Sequence, residues 1–556
     1  MSKGLKIFLF GGGAAVIGAI AYAVIVLLPS TDHLKLIPKD AMFVFTADLK
    51  QLALKADPGK IKNMKFMQKM QKQMEMSKSE ETKVWEDILK DPASTGVDLA
   101  QDAYSFGTGF GDVGSYGVVF KLTSASNFET FVKRMPLKSS VNKENGYQTY
   151  KVENGIYLAW NSDAGMLLGG KGDEGIKKQI GLLMTQKESE SIVSNKNFMA
   201  FHKNKYDIAA FINYSTIMSM IPTKRSDVGI DQQTQKAIEM LKGTYAGFTL
   251  NFDNEDVALT TTYYNDDPKK LESFKMWKDK GLNDAFLANI TTKSVLAIAA
   301  ANIDFKKWYG YVSENEMMKD KVKEALDKME LSDADVKDML EGQISFAVVD
   351  YREIPKTPEE IASEEEMAAM YKTMSDQYGG NYGSPSDYTP KKKFAPIITG
   401  TVGINNMAVV DKLIKKSGAM EENGMYTWPG RGMTMYMIKT KSSVSMTNDK
   451  ELAQKFAKDG TLGGAINEPV KSLVTENPFS GFFDLTLSHY SKETQDYLRS
   501  NMGEQAFPKF EKFMKIFQNI TMKAKEMTFT MQLNMEKGEG NSLYRIINDI
   551  DEAAAQ

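Results

Sequence analysis

From Ile7 to Pro29 the chain carries no charged side chain, reading IFLFGGGAAVIGAIAYAVIVLLP. As a helix these 23 residues would reach roughly 34 Å, enough to cross a hydrocarbon layer of about 30 Å. Lys3 and Lys6 precede the run. The positive-inside rule therefore puts residues 1–6 in the cytoplasm, makes 7–29 a transmembrane anchor, and leaves the body outside. The expectation is a single-pass inner-membrane protein whose body is periplasmic or otherwise extracytoplasmic. Ala21-Tyr22-Ala23 has the small-x-small form of a cleavage site. Val24 to Leu28 continue the apolar run beyond it, which favours an uncleaved signal-anchor over a removed signal peptide.

Beyond the anchor the apolar pattern alternates between period two and period three-to-four, and it does so twice. Residues 39–49, KDAMFVFTADL, match residues 293–303, KSVLAIAAANI, each a turn followed by a buried strand. The strands end at Asp48 and Asn302, read as N-caps of the helices that follow. Asn145-Gly146 and Asn423-Gly424 each open a hairpin, since Asn-Gly suits the positive φ of a tight turn. Asp173 and Asp449 each open a helix, with Ile176 and Ile180 corresponding to Leu452 and Phe456 on one face. A third match aligns 250–266 with 533–549 without a gap. The pattern predicts an α+β protein: two tandem divergent copies of a mainly antiparallel unit, at 34–285 and 286–550.

Spacing between matched positions widens by about forty residues at 353–393, a length seldom found in a structureless loop of a compact domain. Thr357-Pro358-Glu359-Glu360 is a helix start, with a cap, Pro at the first position and acids in the first turn. Ile361, Met367, Met370 and Met374 give that short helix a weak apolar face. The stretch DQYGGNYGSPSDYTPKKK that follows has too little apolar surface to order by burial. A mobile insertion confined to copy two is expected. Tyr378, Tyr382 and Tyr388 are the candidate partner-contacting residues, being aromatic groups on an adaptable Gly-rich backbone.

The strand motif IPKDAMFVFTADLKQL (Ile37–Leu52) behind an N-terminal apolar segment, with a second divergent copy after it, resembles an uncharacterised family of bacterial envelope proteins. Their duplicated domain has no known function. The resemblance implies an envelope location and carries no catalytic residue with it.

Composition narrows the chemistry. The chain has no cysteine, which removes disulfides, thiolate catalysis and thiolate metal sites. Net charge is −3. Only six of the 69 cationic residues are Arg, so no nucleic-acid partner is expected. Gly109-Phe-Gly111-Asp-Val-Gly114 matches a dinucleotide fingerprint but runs into a strand at Ser115, where a helix is required. Gly165 to Lys171 lacks the Ser or Thr of a phosphate loop, having Gly172 instead. Ser140 to Lys143 has SxxK spacing without its companion motifs. The three histidines, His33, His202 and His489, are far apart in sequence. No cofactor, metal site or catalytic residue is assigned.

The segment KNMKFMQKMQKQMEM (62–76) is rich in thioethers that could hold Cu(I), yet Phe66, Met67, Met70 and Met74 recur at helical spacing, as in a packed face. The expected function is non-enzymatic: a membrane-tethered protein binding a protein or an envelope component. The alternatives are an envelope-polymer hydrolase with its site between the copies, and Met-rich copper binding.

Overall fold

The computed structural model describes residues 32–76, 91–98, 100–109, 114–135, 139–220, 232–289, 295–315, 318–356, 358–378, 392–429, 434–460 and 466–554. The chain divides into two compact units, Met1–Phe274 with Met527–Gln556, and Lys275–Glu526.

In chain order the first unit supplies β1 (Phe43–Ala47), β2 (Ala103–Gly107), β3 (Ser115–Lys121), β4 (Val141–Lys143) and β5 (Gln148–Glu153). Then come β6 (Ile156–Trp160), β7 (Ala164–Gly170), β8 (Ile208–Asn213), β9 (Thr244–Phe252) and β10 (Asp256–Asn265). The second unit supplies β11 (Ala297–Asn302), β12 (Leu340–Pro355), β13 (Lys392–Ile404), β14 (Met420–Glu422) and β15 (Met425–Pro429). It continues with β16 (Thr434–Lys439), β17 (Ser443–Thr447), β18 (Phe479–Asp484) and β19 (Phe517–Lys525). The last strand, β20 (Thr528–Met535), returns to the first unit.

Every pairing described here is antiparallel. The first unit orders its strands β4-β5-β6-β7-β3-β2-β1-β8-β9-β10-β20. The second orders its own β14-β15-β16-β17-β13-β12-β11-β18-β19. The fold is thus α+β with extensive antiparallel sheet, as the alternating pattern predicts.

Helices of the first unit include α1 (Leu49–Ala56), α2 (Lys65–Met76), α3 (Ala125–Arg134), α4 (Asp173–Thr185) and α5 (Lys196–His202). Those of the second include α6 (Phe305–Glu314), α7 (Pro358–Tyr378), α8 (Met407–Ser417), α9 (Lys450–Asp459) and α10 (Val470–Glu476). The last helix, α11 (Ser542–Ala554), lies in the first unit.

Alternation along β1 decides what the first sheet covers. Val44 and Thr46 are buried while Phe45 is exposed. Val44 faces Phe106 on one neighbour and Phe211 on the other, both buried. Around them close Leu168 of β7, Ile176 and Ile180 of α4, and Phe198 and Phe201 of α5. Burying a side chain of this size contributes roughly 1.5–3 kcal/mol. A smaller core sets Met64 and Met67 against Leu543, Tyr544 and Ile547 of α11. Asp551 of that helix accepts from the Lys65 and Phe66 amides at 2.9 and 2.8 Å. It thereby caps the start of α2 with a carboxylate almost 500 residues away in sequence.

The repeat signals fare unevenly. Asn423 and Gly424 both have positive φ, 52° and 78°, in the β14–β15 turn, as a primed hairpin turn requires. In the β4–β5 turn Gly146 has φ 86°, and Asn145 is not among the positive-φ residues. Asp48 caps α1, accepting from the Gln51 amide. Asn302 does not play that part, because the strand ends there while α6 begins only at Phe305, and Asp304 caps it through the Lys307 amide. Asn302 instead donates to the carbonyls of Lys280 and Gly281. The match of 250–266 with 533–549 is overturned, since it lays β10 on α11. The shared LN and ND ends are chance likenesses at the edges of different elements. Asp173 is the first residue of α4 and Asp449 the N-cap of α9, one position apart in role.

The insertion differs from a bare loop. The β12–β13 ladder continues through Tyr351↔Pro396, Glu353↔Phe394 and Pro355↔Lys392, so both edges of 353–393 belong to a long hairpin. From it rises α7, 21 residues long, where a short helix was expected. Tyr378 is its last residue; Tyr382 and Tyr388 lie outside the described residues. The uncharged run Ile7–Pro29, expected to be an anchor, also lies outside them. No helix among the described residues is long and apolar enough to cross a membrane.

Candidate functional site

Two features stand out, a buried polar cluster in the first unit and the arm on the second.

The cluster gathers residues from four elements. Asp102 precedes β2, and its Oδ2 accepts from the hydroxyls of Tyr104 at 3.2 Å and Tyr206 at 3.3 Å. His33, in the 3-10 turn Asp32–Leu36, is buried, and its Nε2–H donates to the Asp102 carbonyl at 3.0 Å. His202, at the end of α5, lies with Nδ1 3.1 Å from the Tyr206 hydroxyl. With Tyr206 donating to Asp102, that nitrogen carries the proton and donates to the phenol oxygen. Both imidazoles pack on Tyr104, at ring distances of 5.3 and 6.0 Å, and His202 also stacks on Phe198.

Burial, with the nearby Asp48 charge in second place, pushes the Asp102 carboxyl up to about 6 against the pull of its two phenol donors. Burial likewise raises Tyr104 and Tyr206 and lowers His202. Beside the cluster, Asp207 accepts from Lys55 of α1 at 2.7 Å and from the Phe252 amide at 2.6 Å. Sequence reading passed over this constellation because each member stands alone in the chain and only the strand order assembles them.

Interior placement sets what these groups can do. The hydroxyl, carboxyl and His202 imidazole groups are spent on hydrogen bonds to one another. The third histidine, His489, donates from Nδ1–H to Asp484 Oδ2 at 2.7 Å in the second unit. No group of metal-ligating side chains occurs among the described residues. The chemical-looking motifs fall on strands: Gly165–Gly170 lies in β7, Val141–Lys143 forms β4, and Gly114 leads into β3.

The arm is built on the hairpin. At its root Arg352 of β12 reaches Asp449, the α9 cap, and donates to the Asn448 carbonyl at 2.7 Å. Higher up, Lys392 pairs with Glu353 at 2.7 Å, Lys356 with Glu364 at 2.6 Å, and Lys393 with Glu360. The first pair ties β12 to β13, and the other two brace the first turns of α7 against the hairpin. Further along the helix Met367 and Met370 are 49% and 53% exposed. The helix carries six carboxylates and a single cation, Lys372.

A family model described as "Domain of unknown function (DUF4836)" matches residues 33–353, more than half of the chain. The chain belongs to this uncharacterised family. The match begins in the turn that holds His33 and ends within β12, at the root of the arm. No curated protein matches the chain. Among solved structures, crystal form IV of TP0453 covers 42% of this chain and 81% of its own, at 9% identity and a TM-score of 0.23. Crystal form III covers 44% and 85%, at 10% identity and the same TM-score. Likeness at that level carries nothing further.

Proposed function

We propose that this is a membrane-tethered envelope protein that recognises a protein partner through the arm β12–α7–β13, without catalysing a reaction. The observation that carries the reading is the braced helix α7, whose exposed Met367 and Met370 sit on a strongly acidic element. Flexible thioethers suit an adaptable apolar contact, and the excess of carboxylates selects a basic partner segment. The tether is residues 7–29, on the strength of the uncharged run behind Lys3 and Lys6.

The two units are, on this reading, divergent copies. Supporting this, β11 holds β12 and β18 on its two sides as β1 holds β2 and β8. Each unit also continues outward from its third strand through a hairpin series to a short edge strand. The arm distinguishes the second copy, which makes it the place where a new role was added.

The test replaces 357–391 with a short Gly-containing turn. Pro355 opposes Lys392, so such a turn closes the hairpin without disturbing the unit below. Crosslinked material from intact membranes should then lose a partner that the unaltered chain retains. An unchanged set of partners would overturn the reading.

A further inference from the structure

The buried cluster has no part in partner binding as proposed, yet it joins two imidazoles, two phenols and a carboxyl. Its geometry ties the chain's first described turn to the sheet. His33 of that turn bonds the Asp102 backbone, and the Asp102 side chain bonds Tyr104 of β2 and Tyr206 ahead of β8. We infer that Asp102 is the proton-controlled element of a clasp that holds the segment 32–37 against the first unit, tight in mild acid and loosened as the medium turns alkaline.

The groups that face Asp102 set the direction. Asp48, at the end of β1, opposes a charge on it. Tyr104 and Tyr206 donate to that charge and partly offset the opposition. His202 stands one hydrogen bond further out, and burial lowers its pKa. Lys55, the cation on α1, is engaged by Asp207. A carboxyl held near 6 in the folded unit, against an ordinary 3.8, binds its proton more tightly folded than unfolded. Its contribution is therefore fully present below about pH 4 and is lost as the pH rises through 6. His202 has the opposite sign, since lowering its folded value makes its contribution disappear in acid. The Asp102 contribution thus favours the clasp in acid, and lowering of the His202 value by burial opposes it there.

The experiment is hydrogen exchange on the full chain in detergent, from pH 5 to 8, with intrinsic exchange rates divided out. Amides of 33–37 and of β2 are read against β12 of the second unit as an internal reference. Protection of 33–37 should fall on the order of tenfold relative to β12 as the pH rises. Asp102→Asn, which keeps an acceptor for the tyrosines but cannot ionise, should make the profile flat. Asp48→Asn keeps the α1 cap and removes the like charge, so its midpoint should move to lower pH. Tyr206→Phe removes a donor to the ionised form and should move the midpoint up. A flat profile in the unaltered chain, or an unchanged slope in Asp102→Asn, would overturn the inference. Should Asp102→Asn fail to fold, the opposed shifts in Asp48→Asn and Tyr206→Phe decide the matter, and midpoints that stay in place would refute it.

Discussion

Removing one partner of the Lys55–Asp207 pair should cost more than the pair is worth intact, and the two single changes should overlap almost completely. Asp207 has a side chain 2% exposed, and it accepts from both Lys55 and the Phe252 amide. Lys55 is 20% exposed, with Asp253 3.8 Å away as a second acceptor. Breaking a buried pair by deleting one member costs about 3–5 kcal/mol, because a charge is left without compensation. Lys55→Met leaves Asp207 with the Phe252 amide and some access to water, which lowers the expectation to ~2–3 kcal/mol. Asp207→Ala frees Lys55 toward Asp253 and solvent, so its main cost is the orphaned Phe252 N–H, ~1–3 kcal/mol. Once the carboxylate is gone, losing the lysine matters little. The double variant should therefore cost only ~2 kcal/mol, giving a coupling energy of about 2 kcal/mol. Native-state hydrogen exchange of β8 and β9 amides reads the opening of this unit directly. Strictly additive costs, or a Lys55→Met cost below about 0.5 kcal/mol, would refute the reasoning, since exposed pairs behave that way.

Gly165→Ala should destabilise the first unit by ~1–3 kcal/mol, since a Cβ there would stand 2.3 Å from the Phe120 ring; a thermal midpoint equal to that of the unaltered protein would contradict it. Protease added to spheroplasts should digest the body and spare the residues ahead of Ile7, if the lysines before the uncharged run orient it as proposed. A body digested only after lysis would reverse that topology, and a soluble chain beginning at Val24 would establish cleavage after Ala23.

Much of the fold was legible because alternation is a local signal. FVFTA at 43–47 and AIAAAN at 297–302 read as strands and are strands. The Asn-Gly turns carry their geometry in two adjacent residues, and both form hairpins. Helix caps were legible only to within a residue or two, as Asn302 and Asp304 show. The 250–266 match failed because two shared letters at each end cannot distinguish the second strand of a hairpin from a helix after one. The cluster was illegible for a different reason. His33, Asp102, His202 and Tyr206 come together only through the β2-β1-β8 order, and single polar residues give no spacing to read. In the arm, the Thr-Pro-Glu-Glu start was legible. The strand extension beneath it was not, because Tyr351–Pro355 and Lys392–Pro396 lack a clean alternation.

The measurement that bears most directly on the arm is site-specific photo-crosslinking in intact cells, with the reactive residue at Met367 or Met370 and controls at the comparably exposed Leu54 and Leu182. The arm positions should yield a discrete protein adduct that the controls do not, and reversing Glu365 and Glu366 to Lys should abolish it. Equal labelling from all four positions, or an adduct indifferent to the charge reversal, would contradict recognition by α7.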